Sequence, residues 1–265
     1  MIRICGIALF ISCTLFGQTP PAAFTVASIK PNRSSDDRFM LRFLPGGGLT
    51  ASGVTLKMLI MNAYEVAGYQ IVGAPSWTGT ERWDIEARMV QDKTDGVRGT
   101  LQRDELDAML QRLLEDRFQL KTHRQSKKLP AYALVIAKGG PKLKPHAAGD
   151  RTRYRDTFGF GSANAANVLI AYLAGQLSLG LGRPVLDRTG LEGRYDFALE
   201  WTPAAGDFSP AAIGLPPRAE PPRPADPDRP SIFTALEEQL GLRLKSTKAP
   251  VAILTIDHVE QPSEN

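Results

Sequence analysis

Cysteine is almost missing from this chain. Cys5 and Cys13 are its only two, and both fall within the first 13 of 265 residues. Loss of a short N-terminal leader removes both, which excludes disulfides, thiol nucleophiles and cysteine-bound metals from the remainder. Histidine is nearly as scarce. His123, His146 and His258 are far apart in sequence and form no HExxH pair, so no helical zinc site is expected. Long apolar runs are missing beyond Ile4–Phe16, and no later stretch has the length of a membrane-spanning helix. Charge of one sign does not dominate: 32 Lys and Arg stand against 28 Asp and Glu, a net charge of +4 that names no partner. No Gly-x-Ser-x-Gly elbow is present, and Gly46-Gly47-Gly48 lacks the Lys-Ser/Thr of a phosphate loop. No catalytic residue, metal set or cofactor site is therefore expected from motif content.

What is present begins with a targeting pattern. Arg3 supplies a positive start, Ile4–Phe16 an apolar stretch of signal-peptide length, and Gly17-Gln18 a cleavage point. Residues 1–17 read as a signal peptide, so the chain is expected to be exported, to the periplasm or beyond. Lipid attachment at Cys13 is the alternative. It is disfavoured because Phe10 is a poor upstream residue and Cys13 sits inside the apolar run.

The body of the chain reads as one pattern used twice. Leu59-Ile60 through Arg82-Trp83-Asp84-Ile85 parallels Leu169-Ile170 through Arg194-Tyr195-Asp196-Phe197. Phe118-Gln119-Leu120-Lys121 and Ala133–Ile136 parallel Leu242–Lys245 and Ile253–Ile256. A period near a hundred residues implies a repeated structural unit, not a short-repeat solenoid. The expected fold is α+β, two tandem similar units over 24–145 and 154–260, each with helices on a mostly antiparallel sheet. Leu56, Leu59, Ile60, Ala63 and Tyr64 form a helical stripe capped by Thr55. Leu106, Met109, Leu110, Leu113 and Phe118 form another, opened by Thr100. Asn167 and Ser231 are placed to cap the two helices of the second unit. Leu120–Arg124 with Ala131–Ala137, and Leu242–Ser246 with Val251–Val259, are expected as two hairpin-like strand pairs. Nine prolines between Pro203 and Pro230 predict a disordered or polyproline-like insertion over 203–230.

Three features bear on chemistry. Asp84 and Asp196 recur at matched positions; such recurrence points to architecture, each Asp being placed to anchor the Arg two residues before it. Asp187-Arg188-Thr189-Gly190 reads as a structural turn. A basic stretch runs from Lys121 to Arg155, with Asp150 its sole acid. One reading is a solvated face that aids solubility. The other is an anion-binding surface formed by Lys127, Lys128, Lys142, Lys144, Arg151 and Arg153, facing lipid phosphate, acidic polysaccharide or nucleic acid. Sparse aromatics (Tyr132, Tyr154) argue against stacking on single strands, so nucleic acid is the least favoured partner.

Several segments resemble a soil-associated, uncharacterised bacterial family of exported proteins: Phe24–Asn32, Leu114–Phe118, Leu129–Val135, Lys138–Leu143, Gly182–Val185, Asp187–Leu191 and Ile256–Glu260. The resemblance implies a domain of unknown function that occurs alone after a signal peptide or attached to a membrane zinc metallopeptidase of the antibiotic-sensor kind. It implies no catalytic residues. Residues 49–89 also resemble the short domain that precedes secretins and TonB-linked receptors, which favours protein contact over catalysis. The expected function is a non-enzymatic binding or sensing module of the cell envelope, whose partner is an envelope protein or an anionic ligand. The alternative is an envelope hydrolase with a site assembled from Asp187, Asp196 and His258.

Overall fold

The structure, a computed structural model, describes residues 23–89, 102–147, 154–204, 207 and 229–262, apart from Thr25, Ser35, Asp37, Pro45, Gly46 and Phe160. The expected signal peptide over 1–17, Thr100, Arg151, Arg153 and most of the proline-rich stretch lie outside them.

The chain begins with strands β1 (Val26–Pro31), β2 (Met40–Leu44) and β3 (Gly48–Thr55), then helix α1 (Leu56–Ala63). The Thr55 hydroxyl caps α1 by accepting from the Met58 N–H, which satisfies one of the orphan donors of the first turn. Strand β4 (Ile71–Val72) and strand β5 (Arg82–Arg88) lead to helix α2 (Arg103–Phe118). The Glu105 carboxylate reaches back to the Gln102 N–H at 2.8 Å. Asp104 and Glu105 in the first turn and Arg117 in the last suit the helix dipole. Gln119 stops α2 in the left-handed region, φ 49°, and β6 (Lys121–Ile136) follows.

The second part runs in a comparable order. Strands β7 (Lys144–Pro145), β8 (Arg155–Phe158) and β9 (Ser162–Val168) precede helix α3 (Ile170–Gly180). Strands β10 (Val185–Asp187) and β11 (Tyr195–Glu200) follow. Helix α4 (Ile232–Ala235) runs into a π turn, Leu236–Leu240, and β12 (Leu242–His258) ends the described fold. Ser231 caps α4 as expected, accepting from the Thr234 N–H. Asn167 does not cap α3. It stands at φ 59°, and Leu169 occupies the cap position without a side-chain bond.

These strands form three sheets, of order β1-β5-β3-β2, β7-β11-β9-β8 and β10-β6-β12-β4. The first two are antiparallel throughout; β10 and β4 pair in parallel with the long strands β6 and β12. The fold is α+β with four α-helices among the described residues. In the first sheet Val54 lies opposite Trp83, and in the second Val168 lies opposite Tyr195. That register sets Leu56 against Ile170 and Leu59 against Leu173, three to four residues from the match expected in sequence. Leu169 is accordingly exposed, while Ile170 and Leu173 are buried.

Two hydrophobic cores result. The first sheet packs against α1 and α2, with Trp83 edge-on to Phe118 at 5.7 Å. The second packs against α3 and α4. The first core is not made from one stretch of chain, whereas the second is drawn from Leu134 to Leu244. β12 sends Leu254 and Ile256 into the first core, and β6 sends Leu134 into the second, where Leu242 and Leu244 join it.

The expected hairpins are corrected. β6 and β12 are each one continuous strand, paired antiparallel from Leu242↔Ile136 to His258↔Lys121. Pro130 and Pro250 do not turn the chain. The Tyr132 N–H donates to Pro184 O and the Leu134 carbonyl accepts from Arg188 N, so even-numbered residues of β6 direct their backbone groups to the outer edge. Pro130 therefore lacks a donor only where no strand is paired. The Ala252 carbonyl accepts from the Gln70 side chain on the outer edge of β12, which places Pro250 in the same circumstance.

Candidate functional site

Asp84 and Asp196 lie in matching surroundings. In the first sheet, β3 bulges at Gly53, φ 62°. The Asp84 Oδ1 accepts from the Gly53 N–H, the Ser52 hydroxyl and the Asn32 amide at 2.7–2.9 Å. Arg82 donates from Nε to the Gly53 carbonyl at 3.1 Å. In the second sheet, the Asp196 Oδ1 accepts from the Asn167 N–H and from His146 Nδ1, both at 2.8 Å. Arg194 donates to the Asn167 carbonyl at 2.6 Å. Asp and Arg thus grip the two backbone groups of one left-handed bulge residue, where the sequence led us to expect a bond between the Asp and the Arg. Burial pushes the Asp84 carboxyl up, but bonds from Asn32, Gly53 and Ser52 and the Arg82 charge outweigh it and hold the group below its ordinary value. The Asn167 N–H lowers Asp196, against burial, with help from His146 and Lys144.

Sequence reasoning missed the third member of each cluster, although a signal exists. Lys30-Pro31-Asn32 and Lys144-Pro145-His146 take matching places: Lys30 faces Asp84 and Lys144 faces Asp196. The N–H groups of Asn32 and His146 donate to the carbonyls of Arg82 and Arg194, each at 2.8 Å. His146 is buried, its side chain 8% exposed, and its Nε2 has no partner among the described residues. Held by its Nδ1 bond to Asp196 and its N–H bond to the Arg194 carbonyl, it braces the bulge.

The three residues of the expected hydrolase site are not brought together. Asp187 caps its own turn, accepting from the N–H and hydroxyl of Thr189. Asp196 is held as above. His258 is exposed and bonded to Glu260 at 2.9 Å. Asp187 lies beside Leu134 and His258 opposite Lys121. Those positions are 134 − 121 = 13 residues apart on β6, about 43 Å at 3.3 Å per residue. His123 likewise pairs with Asp257 at 2.8 Å on the surface. No cluster of three or more His, Cys, Asp and Glu suited to a metal ion occurs among the described residues.

The expected basic surface divides in the fold. Lys142 donates to the Glu238 carbonyl at 2.6 Å, and Lys144 lies beside Asp196 in β7. Lys127 and Lys128 are neighbours on β6 and therefore point to opposite faces. On the Lys127 face of the β6–β12 ribbon, Ala131, Ala249 and Ile253 are 1–3% exposed, while Gln125, Lys127 and Thr247 are exposed. On the Lys128 face, Arg124, Ser126, Lys128 and Pro130 of β6 and Ser246, Lys248, Pro250 and Ala252 of β12 are all exposed. This face of the ribbon carries no Asp or Glu from 124 to 132 or from 246 to 254. Lys248, Ser126 and Ser246 were missed in the sequence, yet Ser126-x-Lys128-x-Pro130 and Ser246-x-Lys248-x-Pro250 are the same five-residue pattern.

An α+β scaffold with two cores, joined by a two-stranded ribbon that bares one basic face, is the class of protein these observations define. The chain belongs to a family described as proteins of unknown function (DUF3738), whose model matches residues 57–259. No curated protein and no solved structure matches the chain. No helix among the described residues is long and apolar enough to cross a membrane.

Proposed function

We propose that this protein is an exported binding module of the bacterial cell envelope and carries out no reaction of its own. The observation that carries the reading is the ribbon. Its strands are anchored at both ends in packed cores, while the stretch between them offers a continuous exposed face free of acidic residues. A rigid element with solvated polar groups suits recognition, because little ordering is left to be done on binding. The N-terminal apolar segment supports export. The resemblance to modules found alone after a signal peptide, or attached to a membrane metallopeptidase, supports a place in the envelope.

The scaffold on this reading is a duplication. Matching sheet orders, the paired Asp–Arg grips, and the two Ser-x-Lys-x-Pro segments all support it. The ribbon would then lie on the pseudo-twofold axis, near the Leu129–Ala249 pair. The test is affinity capture from native envelope extract, with the chain immobilised and a Ser126→Glu/Ser246→Glu variant in parallel. A component held by the native chain and lost from the variant is expected. Equal recovery on both columns, or none on either, overturns the reading.

A further inference from the structure

We propose that the exposed face of the β6–β12 ribbon binds an acidic polysaccharide; the inference rests on the binding-module reading and names its ligand. Register and burial carry it. Lys128 lies opposite Pro250, and Lys248 opposite Pro130. The two lysines are therefore diagonal neighbours on one face, about 7–8 Å apart with their Cβ atoms somewhat closer. Ser126 and Ser246 extend the row outward, two residues beyond each lysine. Neither lysine has an ion-pair partner among the described residues, and neither serine hydroxyl is bonded among them. Two ammonium groups are thus held near one another with no carboxylate to neutralise either, an arrangement that favours an anion between or along them.

Cations continue at both ends. Arg124 follows Ser126 on the same face. Beside Ser246, opposite Tyr132, Arg183 lies over the Tyr132 ring at 5.0 Å. From Arg124 to Tyr132 is 132 − 124 = 8 residues, about 27 Å of strand. A row of that length fits an extended chain with recurring charges better than a single small anion.

The other groups on the face select among polyanions. A single-stranded nucleic acid needs aromatic faces for its bases. Tyr132 is the one aromatic residue in this row, and its ring is already taken by Phe233, edge-on at 5.5 Å, and by Arg183. A membrane surface rewards large apolar side chains that enter the headgroup layer. Along the row the exposed apolar residues are Pro130, Pro250 and Ala252, and the one large apolar side chain, Phe233, is exposed only at the Tyr132 end. A sugar polymer offers carboxylates for the lysines and hydroxyls for Ser126 and Ser246, and its pyranose C–H faces lie well on proline rings.

The experiment measures binding of the full chain to polygalacturonate by calorimetry, with dextran, a single-stranded oligonucleotide and vesicles containing anionic phospholipid as parallel probes. Polygalacturonate is expected to bind, dextran not to, and the affinity to fall as salt rises, since exposed charges are screened over about 8 Å at physiological ionic strength. Lys128→Gln/Lys248→Gln should weaken binding on the order of tenfold or more. Lys142→Gln, on a lysine outside the face, should leave it unchanged. Circular dichroism and melting temperature check that the variants fold. Absence of binding to polygalacturonate overturns the proposal, as does binding that the double variant retains or tighter binding to the oligonucleotide or vesicles. Envelope capture that persists in Lys128→Gln/Lys248→Gln would leave the binding-module reading standing while this one falls.

Discussion

At the scale of the residue, Asp84 and Asp196 hold the backbone where it is most unusual. Each accepts a charge-assisted bond from a bulge residue at positive φ. Such bonds contribute about 1.5–3 kcal/mol, so Asp84→Asn and Asp196→Asn should each lower stability by that order, as measured in urea. Both carboxyls sit below their ordinary value when folded. Their contribution is therefore complete above the unfolded carboxylate value near pH 4 and is lost as pH falls through the lower folded values. Melting temperatures of the wild type should drop in that acid range, and the double variant should show a shallower drop. Gly241 is constrained for a different reason. It stands at φ 64°, and a Cβ there would meet Gly140 O at 2.0 Å. Gly241→Ala should cost at least about 1–3 kcal/mol from the backbone alone. The repeated Arg-aromatic-Asp pattern was legible in the sequence as architecture. Its target was not, because a bulge exists only once two strands have fixed their register. The nearby His146 could have been paired with Asn32 through the repeated Lys-Pro, since the same place needs a side-chain donor in both sheets.

At the scale of the element, the long strands show how a correct local rule gave a wrong result. Lys127-Lys128-Leu129-Pro130 has the polarity and proline of a turn, and a turn was expected there. The alternation that distinguishes a strand is present, but short: Leu129 and Ala131 face one way, Lys128 and Pro130 the other. The deciding fact is that Pro130 and Pro250 lie on outer edges, where a missing N–H is an advantage. An unpaired edge with free donors recruits other strands, and proline and lysine discourage that. Pro130→Val/Pro250→Val should restore the outward donors and make the protein associate as concentration rises, detectable by light scattering at unchanged monomer secondary structure. The helices were more legible. Caps at Thr55 and Ser231 and the apolar stripes of α1 and α2 are local, and local signals survive folding intact. α3 lacks a side-chain cap, so the expected cap fell on the nearest Asn, whose actual role is to adopt φ 59°.

At the scale of the whole molecule, the proline-rich stretch begins and ends at one place. Thr202 bridges to Ser231 and its N–H donates to Pro230 O. A loop whose ends meet can be shortened cheaply. Replacing 205–228 by a short Gly/Ser linker should raise stability slightly, because each halving of loop length is worth about 0.6 kcal/mol; a melting temperature several degrees lower would show that the segment packs on a core. The share that β12 takes in both cores carries the opposite expectation. A fragment of residues 23–147 lacks Leu254 and Ile256 and should not fold as a monomer, whereas mixing it with 154–262 should recover native circular dichroism. Time follows from the same arrangement. Phe118 and Ile256 belong to one core but are 256 − 118 = 138 residues apart, so synthesis at roughly 5–20 residues per second separates them by roughly 7–28 s. Throughout that interval the first core lacks Leu254 and Ile256 and stays unfinished, so its closure waits on the last strand to be made.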